Sequence, residues 1–98
     1  MIRHIVFFSA KDKTDVGNIL SGLRILKEIP HALTLEIEPN SQKDALSSDV
    51  DVVVYGEFAD LAALEAYKAH PLYQQSIDKV RPLRELRIAA DFPSPFTK

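Results

Sequence analysis

The sequence contains no cysteine, which excludes disulfides, thiolate metal ligands and thiol nucleophiles. Only three glycines occur in 98 residues, and no glycine-rich phosphate loop, nucleophile elbow or catalytic-cysteine motif can be traced. Basic charge is not in excess: twelve Lys and Arg stand against fourteen Asp and Glu, for a formal charge of −2. That balance offers no field for phosphate backbones or anionic lipid, so neither nucleic acid nor membrane is an expected partner. Long apolar runs are missing too. The opening "MIRHIVFFSAK" is interrupted by Arg3 and His4 and is too short for a signal peptide or a span. A cytoplasmic location is the default expectation. The three histidines, His4, His31 and His70, fall in separate segments with no pair at helical ligand spacing, so no metal is expected.

What is present is ordinary globular composition, 46% hydrophobic and 27% charged. One domain over residues 1–98 follows, with residues 93–98, "PSPFTK", as an extended C-terminal tail because prolines cannot continue a ladder. A chain this short buries a small share of its surface. With no disulfide to help, a second copy is the simplest source of further buried area.

Residues 2–9 are rich in β-branched and aromatic side chains on both parities, the pattern of a strand buried on two faces. One face carries Ile2, His4, Val6 and Phe8; the other carries Arg3, Ile5 and Phe7. After a polar turn, with Thr14 as the expected cap, Val16, Ile19, Leu20, Leu23, Leu26 and Ile29 form one helical stripe ending at Pro30. Residues 32–38 read as a half-exposed strand and "PNSQKDALSSD" as a loop. "VDVVVYGEF" is the strongest strand. Asp60 sits where a cap belongs, ahead of Leu61, Leu64 and Tyr67. The His70–Pro71 pair breaks this helix, a second short helix follows, and "LRELRIAADF" alternates as the last strand.

The order β-α-β-β-α-β is that of an α+β, ferredoxin-like plait with a four-stranded antiparallel sheet. Its helices can cover one face only, yet strands 1 and 3 look apolar on both. Face-to-face pairing of two sheets into a dimeric α/β barrel is therefore expected, the chain being its own partner.

"IRHIVFFSAK", "VDVVVYGEFADLAALEAYKAHPLY" and "ADF" resemble the stress-responsive dimeric A/B barrel domain family over nearly the whole chain. The resemblance implies a small, mostly apolar pocket between sheet and helices, lined by Val6, Phe8, Val54, Leu61 and His70. It implies an apolar or carbonyl-containing ligand and no cofactor. One plant member of the family is a polyketide cyclase working by aldol chemistry. By resemblance Tyr67 matches its catalytic tyrosine and His4 its strand-1 pocket histidine. Asp91 matches the carboxylate that orients its catalytic histidine. That histidine's own position, two residues after the His-Pro pair, holds Tyr73, and the family's glycine-asparagine element is reduced to "EPNS". A phenol with an ordinary pKa of about 10 is a hydrogen-bond donor at neutral pH and a poor base, so the cyclase mechanism does not transfer.

Each candidate also has a structural reading. Tyr67 lies three residues from Leu64 and suits a core with its hydroxyl satisfied. His4 suits a hydrogen-bonded core residue, His70 a helix cap, Tyr73 a rim aromatic and Asp91 a backbone acceptor. Two functional classes compete: a cofactor-free enzyme or binding domain using Tyr67, Tyr73, His4 and Asp91, and a non-catalytic, stress-associated dimer with a vestigial pocket. An RNA-recognition reading of the same topology lacks the basic and glycine-aromatic strand signature.

Overall fold

Apolar side chains on both parities put the first and third strands in the middle of the sheet. The structure, a computed structural model, describes residues 1–96; Thr97 and Lys98, the end of the expected tail, lie outside the described residues. Strand β1 (Ile2–Ala10) leads through a 3-10 turn into α1 (Val16–Arg24). β2 (Thr34–Pro39), β3 (Val52–Phe58), α2 (Leu61–Ala69), α3 (Pro71–Val80) and β4 (Arg84–Pro93) follow. The strands pair antiparallel in the order β2-β3-β1-β4, the ferredoxin-like plait. Among the described residues no helix is long and apolar enough to cross a membrane.

Strand register sorts side chains between two faces. His4 stands between Gly56 and Asp91, Val6 between Val54 and Ala89, and Phe8 between Val52 and Arg87. This face meets the helices, and Val6, Phe8, Val52 and Val54 are buried there with Ile19, Leu23 and Leu26. Gly56 has a packing reason: a Cβ there would lie 2.8 Å from the Phe58 ring, which folds back over the strand. On the opposite face Val53, Phe7 and Ile88 form one cross-strand row and Tyr55, Ile5 and Ala90 the next. Phe7 is 37% exposed and Ile88 53%.

The helical side departs from expectation in three places. The stripe from Val16 to Ile29 is not one α-helix, since its last turn tightens into a 3-10 turn over Ile25–Glu28. Gly22 is the close approach there: a Cβ would come within 2.9 Å of Val80 on α3, and Ser76 Oγ donates to the Gly22 carbonyl at 2.9 Å. Thr14 is not the cap. The α1 N-cap is Asp15, which makes no side-chain cap bond, while Asp12 caps the preceding 3-10 turn, accepting from the Thr14 amide at 2.9 Å. The last strand runs further than its prolines suggest. Pro93 pairs with Ile2, and the Ser94 amide donates to the Met1 carbonyl at 2.7 Å, which an edge strand permits.

One buried carboxylate ties the long loop to the sheet. Asp51 accepts from the Ala10 amide at 2.9 Å and from Lys13 Nζ at 2.8 Å. Burial works to raise its pKa, but Lys13 and the Ala10 N–H outweigh it and hold the group below the ordinary carboxylate value. A depressed folded pKa stabilises above the unfolded value, and that stability is lost as the pH falls through the folded one. Asp51→Asn is therefore expected to cost about 1–2 kcal/mol at pH 7. The difference from wild type should shrink as the pH is taken progressively below the ordinary carboxylate value of about 3.9, as read from urea melts at pH 7 and in acid. An equal loss at both would assign the effect to shape rather than charge.

Candidate functional site

The helix break at His70–Pro71 decides how the helical side is shaped. His70 adopts φ −67° and ψ 141°, an extended conformation imposed by the following proline. It closes α2 and caps α3, its Nδ1 accepting from the Leu72 amide at 3.1 Å. Its ring lies near His31, with centroids 6.1 Å apart, and not in the cavity. The expectation that His70 lines the pocket is corrected on that ground: its nitrogen is committed to the cap. Leu61 is corrected too. It stands at the first position of α2, 59% exposed, because only later turns of that helix, with Leu64 and Tyr67, are buried.

The bend sets two tyrosines face to edge, with Tyr67 and Tyr73 ring centroids 5.3 Å apart at 70°. They wall a cavity between the sheet and the helices. His4, Val6, Phe8 and Val54 line it from the sheet. Leu23, Leu26, Ser76, Ile77 and Val80 line it from the helices, and Arg81, Arg84 and Arg87 stand round it. The cavity opens to solvent, and its volume is about 30 Å³, room for a water or two. Among the described residues no three His, Asp or Glu side chains gather as a metal site.

His4 is 1% exposed on β1. Its Nδ1 hydrogen-bonds the Asp91 carboxylate, its cross-strand partner. Burial is the largest influence on His4 and lowers its pKa from the ordinary 6.5; Lys68 and Arg87 act the same way, and Asp91 opposes them. The neutral imidazole thus prevails at pH 7, donating its Nδ1 proton to Asp91 and keeping a lone pair on Nε2. Asp91 itself is outside the cavity lining. Its partner is not a residue near Tyr73 but His4, so a carboxylate–imidazole pair persists here.

Tyr67 is 1% exposed, packed 4.9 Å from the Phe58 ring centroid and 6.2 Å from that of His4. Its hydroxyl makes no hydrogen bond to the described residues, and the side chain lines the cavity. Burial and the neighbouring Tyr73 push its pKa above the ordinary value, against Arg87. Tyr67 is therefore a neutral donor throughout the physiological range. Tyr73 Oη accepts from Arg87 Nη2 at 3.3 Å and keeps its own proton to donate.

This plait, with a cavity between sheet and helices, coincides with a family assignment. The model of the stress-responsive A/B barrel domain matches residues 2–94. The chain belongs to that family. A Dabb-family protein of Mesorhizobium loti with a ferredoxin-like fold shares 27% identity at a TM-score of 0.78, covering 95% of each chain. A dimeric ferredoxin-like protein of unknown function from Jannaschia sp. CCS1 superposes with a TM-score of 0.83 at 21% identity, over 95% of this chain and 98% of that one. A Nitrosomonas europaea protein assigned as an antibiotic biosynthesis monooxygenase gives 0.81 at 17% identity, over 98% and 100% of the two chains. The last two likenesses speak for the fold alone. No curated protein matches this chain.

Within the A/B barrel frame, the residues that sequence reasoning missed are the arginines. Arg81, Arg84 and Arg87 stand three apart in "RPLRELR", a density of like charge that was the available signal. Arg87 donates to the Tyr73 hydroxyl.

Proposed function

We propose that the chain acts as a homodimer, through its open sheet face, and binds a small, mostly apolar carbonyl compound in the cavity between sheet and helices. The observation that carries this reading is the Tyr67 hydroxyl, which belongs to a buried side chain lining the cavity and has no hydrogen-bond partner among the described residues. A ligand carbonyl oxygen supplies the missing acceptor, and Tyr73 offers a second donor beside it. His4, oriented by Asp91, is the base that can take a proton from the carbon next to that carbonyl, with the tyrosines stabilising the enolate oxygen. Asp91 is a positioning residue.

The test is hydrogen–deuterium exchange at the carbon beside the carbonyl of cyclohexanone, followed by NMR. Wild-type protein should accelerate exchange over buffer, and His4→Gln should remove on the order of 100-fold or more of that acceleration. Tyr67→Phe should remove roughly tenfold, with circular dichroism confirming that both variants fold. Because burial lowers the His4 pKa, activity should rise with pH and level off below pH 6.5. A rate in His4→Gln equal to wild type overturns the assignment of the base.

A second reading, a non-catalytic dimer with a vestigial pocket, is favoured by the small cavity volume of about 30 Å³. Absence of both exchange and saturable ligand shifts in NMR spectra would select it.

A further inference from the structure

In a regular strand, residues three apart point to opposite faces. Arg84 and Arg87 do not. The register of β1 with β4 slips between Ser9 and Ala10, where Ala10 meets Arg84, Ser9 meets Leu86 and Phe8 meets Arg87. The irregularity places both arginines on the helix side, with the buried Ala10 and Phe8. Such bulges re-aim side chains at the edges of sites. Arg81, the C-cap of α3, comes to the same cavity from the other side, so three guanidiniums line one small apolar space.

Their charge is not neutralised within the fold. The ion pairs among the described residues involve Arg3, His4, Lys13 and Arg24. None involves Arg81, Arg84 or Arg87. The Arg84 guanidinium is pushed below its ordinary pKa by partial burial first, then by repulsion from Arg87 and Arg81. In a chain whose acidic residues outnumber its basic ones, fourteen to twelve, gathering three unpaired guanidiniums at one place is not the background composition. Like charges brought together beside apolar walls are destabilising until an anion joins them.

We infer that the arginines form an oxyanion subsite, so that the cavity's ligand is a small apolar carboxylate, its chain against Leu26, Val54 and Val80 and its carboxylate on Arg84 and Arg87. This rests on the proposed pocket and narrows its ligand class. The guanidinium fork matches a carboxylate in a way an ammonium would not. The Tyr73 hydroxyl accepts from Arg87 and so holds that guanidinium at the cavity.

The test compares hexanoate with its neutral isostere hexanamide by amide chemical-shift titration of the full chain. Hexanoate should bind roughly tenfold more tightly, with the gap narrowing as salt is raised. Arg84→Gln combined with Arg87→Gln, at half-buried and exposed positions, should abolish the preference for hexanoate over hexanamide. Equal affinity for the two probes in wild type overturns the anion subsite while the pocket survives. A preference that persists in the double variant overturns the assignment to these arginines. If neither probe binds, the pocket reading falls with the inference.

Discussion

Phe58→Ala should destabilise the domain by about 3–5 kcal/mol, the range for emptying a buried aromatic position. Phe58 is wholly buried, at the end of β3, and its ring does three jobs. It fills the space above Gly56, where even a Cβ would come within 2.8 Å. It packs against Tyr67 at 4.9 Å between centroids, and it meets the edge of His4 at 6.2 Å. No neighbouring side chain can collapse into the gap without dragging Tyr67 or His4 from the cavity wall. Against a total stability of about 5–15 kcal/mol for a domain of this kind, the loss is a large fraction. Urea melts at fixed protein concentration should show the midpoint drop with little change in slope. Phe58→Leu should retain most of the packing and lose about 1–1.5 kcal/mol. A loss below about 1 kcal/mol in the alanine variant would mean that the ring is not what supports the site.

The second large effect concerns assembly. Phe7→Asp together with Ile88→Asp should convert the proposed dimer into a monomer at micromolar concentration, seen by analytical ultracentrifugation. The two residues are direct cross-strand partners on the uncovered face, with Phe92 further along at 45% exposure. In a two-fold dimer each substitution acts twice. At about 1.5 kcal/mol or more per apolar side chain buried, four sites amount to roughly 6 kcal/mol, or about four orders of magnitude in the dissociation constant. Desolvating the introduced carboxylates adds to that. The face also carries Arg3, Tyr55 and Glu57, joined at 2.5 Å and 2.6 Å through the tyrosine oxygen. Their mutual hydrogen bonds allow polar groups beside an apolar interface. The substitutions lie on the face away from the helices, so a folded monomer is the expected product. A wild-type protein that is already monomeric, or a variant that stays dimeric, would remove the open face from consideration as the interface.

Much of this molecule was legible before any coordinates. Periodicity alone distinguishes β1 and β3, apolar on both parities, from β2 and β4, and this places them at the sheet centre. The capping residue Asp60 and the His-Pro break were readable because their causes are local: a carboxylate within reach of a free N–H, and a proline ring that forbids the helical conformation one residue earlier. His4, Tyr67 and Tyr73 line one cavity. Leu61 and His70 do not join them. Spacing shows which side of a helix a residue occupies, but not how far the helix overlaps the sheet, nor which atom an imidazole has already committed.

Three features were decided only by tertiary structure. The partner of Asp91 is set by register, a cross-strand property that no single strand contains, so the carboxylate meets His4 rather than a residue near Tyr73. The unpartnered Tyr67 hydroxyl is a statement about every atom around it. The three arginines share one space because a register slip turns Arg84 onto the face of Arg87 and a helix end delivers Arg81. The sequence by itself determined the elements, their order and two of their caps, since those depend on neighbours a few residues away. The cavity and its charge belong to the fold, because they depend on contacts between segments up to about 80 residues apart, where pairing rather than local preference chooses the neighbour.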